Sequence, residues 1–245
     1  MRYFCGVMKI ALIGFGKMGQ TIERIARSRG HQIVLRIDPC IAANASQALL
    51  QPVLDETGWQ SDGWQQVDVA VEFTTPATAE QNVIRLLQRR IPVLSGTTGW
   101  DTSEARRLSR QSDVPFLWSS NFSVGVNLFF ALNERLAAML KGYDYRPSIT
   151  EIHHIHKKDR PSGTAKTLAE TIERMMPSAG AVPIESVREG EVVGVHSVLW
   201  ESPQDCIEIK HTAKSRDGFA LGAVMAVEWL QGKKGPHTLK EVFEL

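Results

Sequence analysis

Cysteine is scarce in this chain: Cys5, Cys40 and Cys206 are far apart and odd in number. They form neither a metal-ligand pair nor a disulfide framework, so a reducing compartment is expected. No apolar run reaches the roughly 18 residues that a membrane-spanning helix needs. Residues 1–7 lack the long apolar segment of a secretion signal. No excess of either charge exists, since 28 Lys+Arg face 27 Asp+Glu for a net charge of +1. That balance argues against nucleic acid or an anionic membrane as the main partner. A repeat of fixed period is also absent. What remains is a globular composition, 43% hydrophobic and 22% charged over 245 residues, enough for one large or two small domains.

From Met8 the chain alternates short apolar runs with helical patterns. Residues 9–13, 32–37, 67–73, 92–94 and 114–118 read as strands, and helical spacing follows Gly16, Pro76 and Thr102. Residues 39–66 are irregular, broken by Pro39, Pro52, Gly58 and Gly63. Repeated strand–helix units imply parallel strands with helical crossovers, a Rossmann-type doubly wound α/β sheet. After Asn121 the pattern changes. A long helix fits 124–140 and another 164–176, with strands at 148–156, 192–199 and 206–212, so a second, smaller α+β domain is expected. A helix over 221–230 returns to the first domain. The expected division is 1–122 plus 217–245 for dinucleotide binding and 123–216 for substrate.

Gly14-Phe15-Gly16-Lys17-Met18-Gly19 is a G-x-G-x-x-G loop between an expected strand and an expected helix. Gly14 permits a tight turn, Gly16 lets backbone approach a pyrophosphate, and Gly19 lets helix and strand pack closely. Asp38 lies 19 positions beyond Gly19, where the dinucleotide pattern places an acid on the adenosine ribose. The competing reading is a solvated Asp opening an Asp-Pro turn. Two further loops, Phe73-Thr74-Thr75-Pro76 and Gly96-Thr97-Thr98-Gly99, follow expected strands. Singly each reads as a helix-capping turn; together they line the edge where a nicotinamide would lie.

The densest chemistry runs from Glu151 to Thr164, with His153, His154, His156, Lys157, Lys158, Asp159, Arg160, Pro161, Ser162 and Gly163 between. Three histidines suggest a metal, but on an extended strand His153 faces away from His154 and His156. No Cys or further His has obvious ligand spacing nearby, and no metal is expected. An exposed polar strand end is the bland alternative. An acid–base and anion site is the third: His153 titrates near neutrality, Lys157 brings positive charge and a proton, and Ser162 caps a helix whose first-turn amides can hold a carboxylate.

The run Glu151-Ile152-His153-His154-x-x-Lys157-x-Asp159-x-Pro161-Ser162-Gly163-Thr164-Ala165 closely resembles the signature of the dihydrodipicolinate reductase family. The resemblance extends from about Met8 to Leu245 and takes in the 14–19 loop, the 96–99 loop and Asn121-Phe122-Ser123-Val124-Gly125-Val126-Asn127. Residues 39–66 look compressed, Arg160 stands where many relatives have Ala, and Ser119 and Ser120 also replace a common Ala. The resemblance implies a cytoplasmic homotetramer acting in the diaminopimelate route to lysine. NADH or NADPH would reduce a cyclic dicarboxylate, with loss of water from the 4-hydroxy compound. It implies His153 and Lys157 as catalytic residues and His154, Lys157, Gly163 and Thr164 as substrate contacts. It implies cofactor contacts at Ile13, Gly14, Phe15, Gly16, Lys17, Met18, Asp38, Gly96, Thr97, Thr98, Ser119, Ser120, Asn121 and Phe122. Asp38 favours NADH modestly, while Lys17, or failing that Arg36, is the candidate contact for the NADPH phosphate. The alternatives are a dehydrogenase of aspartate or its semialdehyde, which should lack the 153–164 motif, and a non-enzymatic dinucleotide sensor, which should not need His153 and Lys157.

Overall fold

The computed structural model describes residues 6–42 and 54–245. Cys5, most of the 1–7 segment and much of the 39–66 stretch lie outside the described residues. Two compact units divide them: one runs to Val124 and resumes at Asp217–Leu245, the other is Gly125–Arg216.

The first unit contains β1 (Lys9–Ile13), α1 (Lys17–Ser28), β2 (Gln32–Ile37), α2 (Pro39–Ala42), β3 (Val69–Glu72), α3 (Pro76–Gln88), β4 (Val93–Ser95), α4 (Ser103–Ser112) and β5 (Phe116–Trp118). All strands of its six-stranded sheet are parallel, in the order β10-β5-β4-β3-β1-β2, where β10 is Pro236–His237. β1 and β3 are buried almost throughout because helices cover both faces of the sheet. Ile10, Leu12, Val69, Val71 and Leu94 face one core with Ile22 and Val224; Ala11, Ile13, Leu35, Ala70 and Val93 face the other with Val83 and Leu86. This is the period-two alternation of a strand feeding two layers. The helix expected to return to this unit is α7 (Asp217–Leu230). Its Glu228 accepts from Arg29 Nε and Nη2 at 2.7 and 2.8 Å and sits 2.9 Å from His31 Nε2, fastening the helix beside α1.

The second unit holds most of α5 (Val124–Leu140), then β6 (Arg146–His153), α6 (Gly163–Met175), β7 (Ile184–Arg188), β8 (Gly194–Glu201) and β9 (Cys206–Ala213). Its mixed sheet runs β7-β6-β8-β9, parallel only between β6 and β7. Along β6, Pro147, Ile149, Glu151 and His153 are buried while Ser148, Thr150 and Ile152 are half-buried. One face is therefore packed; Ala165, Leu168 and Ile172 of α6 meet Ile149, Val198 and Trp200 there.

Three expectations need correction. The strand expected to reach residue 156 ends at His153, because 155–156 form a turn. β7, β10 and the final helix α8 (Leu239–Phe243) were not anticipated. The helix expected at 221–230, which is α7, begins at Asp217.

Candidate active site

In the first unit the loops that follow β1, β3 and β4 touch one another. Gly14 has φ +91°, and a Cβ there would lie 2.0 Å from the Phe73 carbonyl oxygen, so only glycine fits. A Cβ on Gly19 would lie 2.3 Å from the Gly14 oxygen, which explains the third glycine of the pattern. Gly16 differs: a Cβ there would meet nothing within 4 Å, and it caps α1 without a side-chain hydrogen bond. Open space before first-turn amides fits a dinucleotide pyrophosphate. Lys17 is exposed at the first turn, Met18 is half-buried, and Ile13 and Phe15 are buried.

Asp38 braces this loop. Its Oδ2 accepts from the Phe15 amide at 2.8 Å and its Oδ1 from the Cys40 amide at 3.0 Å. Arg36 is not a phosphate contact in waiting. It is buried, gives Nε and Nη2 to Glu23 at 2.7 and 2.5 Å, and lies over the Phe15 ring.

Thr97 is buried and Thr98 exposed, while a Cβ on Gly96 would strike the Phe73 ring at 2.2 Å. Beyond β5, the Ser119 amide donates to the Ser95 carbonyl at 3.3 Å and its hydroxyl to the Asn121 carbonyl at 3.0 Å. Ser120 is exposed. The Phe122 side chain is core, 5.9 Å from the Phe73 ring, and leaves only its backbone for any cofactor contact.

In the second unit, Glu151 and His153 project to the same buried face from alternate positions of β6. Glu151 Oε1 accepts from the Ser162 amide and from Arg188 Nη2, both at 3.1 Å. Burial raises the Glu151 carboxyl, yet the hydrogen bonds from Ser162, Ser186 and Arg188 hold it below its ordinary value. Arg188 also donates to the carbonyls of Lys157 and Asp159, so one guanidinium ties the 157–159 loop to the strand. His153 Nδ1 lies 3.3 Å from Glu151 Oε2, and its ring stands edge-on to His196 at 4.9 Å. Burial pushes His153 below the usual histidine value; Glu151 pulls it up, and Lys157 and Arg188 push it down. His196, 3.1 Å from the Ser162 hydroxyl, is pushed down to about 4 by burial first and His153 second.

Ser162 caps α6, its Oγ accepting from the Ala165 amide at 3.2 Å. Gly163 is exposed and a Cβ there would meet nothing within 4 Å, so the start of the helix is open. Thr164 is half-buried in the first turn. Lys157 Nζ donates to both oxygens of Asp159. His154 parts from His153: its ring lies 6.1 Å from that of His156.

Ligand-type atoms of Glu151, His153 and His196 lie within 4.8 Å of one another. The histidines face Oε2 of Glu151 while the Arg188 guanidinium bonds Oε1, and that positive charge on the same carboxylate disfavours a cation beside it. Glu72, Arg188 and His196 were not singled out from sequence. The one signal for Glu72 was a lone acid ending an apolar strand; Arg188 lies on a strand that was itself missed.

Residues 8–122 match the sequence family described as dihydrodipicolinate reductase, N-terminus, and residues 125–243 match its C-terminus. The chain is 44% identical to the 4-hydroxy-tetrahydrodipicolinate reductase of Christiangramia forsetii, over 96% of this chain and 97% of the relative. It is 37% identical to the enzyme of that name from Bdellovibrio bacteriovorus, over 96% of each. A solved dipicolinate-bound dihydrodipicolinate reductase from Paenisporosarcina sp. TG-14 shares the fold, with a TM-score of 0.79, 22% identity, and coverage of 96% of this chain and 99% of that one. An aspartate semialdehyde dehydrogenase from Vibrio cholerae shares it less closely, with a TM-score of 0.54, 13% identity, and coverage of 92% and 98%. With both halves of its length matched and close relatives spanning nearly all of it, the chain belongs to the dihydrodipicolinate reductase family.

Proposed function

We propose that this protein is the 4-hydroxy-tetrahydrodipicolinate reductase of the diaminopimelate route to lysine. It reduces a six-membered cyclic dicarboxylate with NADH or NADPH and releases water from the 4-hydroxy substrate. The observation that carries the reading is the grouping of a buried imidazole, a lysine and an open, serine-capped helix start within one short motif. That set suits an anionic substrate that must also receive a proton.

A bound NADH or NADPH supplies a hydride to C4 of the ring. The first unit contributes the loop at 14–18, Asp38, the 96–98 loop and the 119–122 segment to hold it. Gly163 and Thr164 amides and the Lys157 ammonium neutralise the carboxylates, with His154 as a further contact, and so fix the ring face. His153 is kept neutral in the free protein by its burial, which favours Lys157 as the group carrying the proton and His153 as the group that orients and relays it. The balance is one hydride and one proton added, and one water lost.

No helix of the described residues is long and apolar enough to cross a membrane. We place the enzyme in the cytoplasm as a homotetramer assembled through the second unit. Supporting the assembly is the sheet face bearing the half-buried Ile152, Val195 and Leu199, opposite the face that packs inside its own unit. Light scattering on the purified protein measures the state, and a monomer would overturn that part.

The activity test follows cofactor oxidation with substrate made in place from aspartate semialdehyde and pyruvate. Turnover with at least one of NADH and NADPH is expected. His153→Gln should lower the rate by about 10²–10⁴-fold with cofactor affinity little changed. No oxidation of either cofactor sinks the reading, and an unaltered rate in a folded His153→Gln variant removes His153 from the mechanism.

A further inference from the structure

We infer that Glu72 is the positioning residue for the nicotinamide end of the cofactor site, holding the two loops that flank it in one geometry. The inference rests on the dinucleotide reading above. Glu72 ends β3 and is fully buried. Its Oε1 accepts from the Thr74 amide at 2.9 Å, the Thr74 hydroxyl at 2.5 Å and the Thr97 hydroxyl at 2.8 Å; its Oε2 accepts from the Ser95 hydroxyl at 2.5 Å. The Thr74 amide also donates to Thr97 Oγ1 at 2.8 Å, and the Gly96 amide to the Glu72 carbonyl at 2.9 Å. One side chain therefore joins the loop after β3 to the loop after β4.

Among the described residues no cationic side chain forms an ion pair with this carboxylate. Burying a carboxylate without one is costly, and an apolar side chain would suit a strand flanked by Val71 and Phe73 equally well for packing. What the carboxylate adds is the fixed placement of Thr74 and of the 96–98 backbone. The sheet order assigns the end of the cofactor concerned. β2, whose end carries Asp38, lies on one side of β1, and β3 and β4 lie on the other. A dinucleotide with its pyrophosphate at the β1 loop and its adenosine ribose at Asp38 extends its nicotinamide over the ends of β3 and β4. Loops preorganised there spare the ordering that binding would otherwise require.

Calorimetry with two ligands, NADH and ADP-ribose, isolates the role, because ADP-ribose lacks the nicotinamide ring. Glu72→Met keeps length and apolar packing but orphans the hydroxyl and amide donors. It should weaken NADH by about tenfold, roughly 1.4 kcal/mol, and leave ADP-ribose within about twofold. Glu72→Gln should stay within about threefold of wild type for both, since its amide oxygen can take the Oε1 bonds and its amide nitrogen can donate to Ser95. If Glu72→Met does not fold, Ser95→Ala carries the test, with a loss of about threefold confined to NADH. Equal weakening of both ligands, or of neither, overturns the inference, as does a Glu72→Gln loss as large as that of Glu72→Met. Wild-type protein that binds neither ligand brings down the dinucleotide reading along with it; wild type that binds both while the variants do not discriminate brings down the inference alone.

Discussion

Lys157 gives its ammonium to both oxygens of Asp159, at 2.8 and 2.9 Å. The two side chains sit in the loop that Arg188 fastens by its carbonyls, so the pair is held near the start of α6. Burial raises the Asp159 carboxyl, but the Lys157 bonds hold it below its ordinary value, and the aspartate is charged at neutral pH. An incoming carboxylate must compete with Asp159 for the lysine. Lys157→Ala should therefore weaken pyridine-2,6-dicarboxylate by about 10–150-fold, the equivalent of about 1.5–3 kcal/mol for a charge-assisted contact. Asp159→Asn should tighten it by up to about tenfold, less at high salt because the pair is partly exposed. Inhibition constants for the three proteins decide the matter. Weaker binding in Asp159→Asn would mean that the aspartate orients the lysine and does not compete for it.

Acid should weaken the second unit through its buried histidines. His196 is pushed to about 4 in the folded protein, against 6.5 for an unperturbed imidazole. Between those values the unfolded chain binds more protons than the folded one, so stability is full above 6.5 and falls as pH drops towards 4. His153 and His211, both lowered by burial, act in the same direction. From about pH 7 to about pH 5, His196 alone should account for about 2 kcal/mol. Urea unfolding at the two values in wild type and His196→Gln measures it. A variant that loses as much stability as wild type over that interval would show that His196 is not the titrating group.

Where sequence pattern maps directly onto physics, it was readable. Residues 9–13, 32–37 and 124–140 form the elements expected of them, because uninterrupted apolar runs and helical spacing leave little competition. The glycine loop was legible because backbone sterics demand glycine at 14 and 19. What escaped is what tertiary contact alone decides. β7 reads IESVR, with no clean alternation, and is a strand because it docks beside β6. His153 was correctly separated from His154, and Glu151 shares its strand face, yet His196 joins them only through sheet pairing, opposite Glu151 across β6 and β8. Arg36 misled for the same reason: its strand position suggested a ligand, while Glu23 on α1 had already engaged it.

The first and second glycines of the loop should fail in different ways. Gly14→Ala places a Cβ 2.0 Å from the Phe73 carbonyl oxygen at a positive φ, and so should lower the unfolding midpoint. Gly16→Ala meets no neighbour, so its thermal unfolding should match wild type. Its methyl occupies the approach to the α1 amides, and NADH affinity should fall by about tenfold or more. Melting curves and NADH titrations on both variants separate the two. A Gly16→Ala protein with wild-type affinity would remove the loop from the cofactor site.

Cofactor choice turns on Lys17, now that Arg36 is excluded. Asp38 already accepts the Phe15 and Cys40 amides, which keeps its carboxylate at the end of β2 next to the glycine loop. Ribose hydroxyls can donate to a carboxylate, whereas a 2′-phosphate would meet its negative charge. Lys17 is exposed in the first turn of α1 and is the loop's own cation. Its long side chain can offset that repulsion, so both cofactors should work, with NADH modestly preferred. Lys17→Ala should lower kcat/KM for NADPH by about 2–5-fold and leave NADH within about twofold, as expected for an exposed charge contact of up to about 1 kcal/mol. Added salt should narrow the difference between wild type and variant. Steady-state rates with both cofactors at low and high salt test each step. A strong wild-type preference for NADPH would refute the role given to Asp38, and an unchanged NADPH-to-NADH ratio in Lys17→Ala would mean that the phosphate is met by backbone amides of the loop alone.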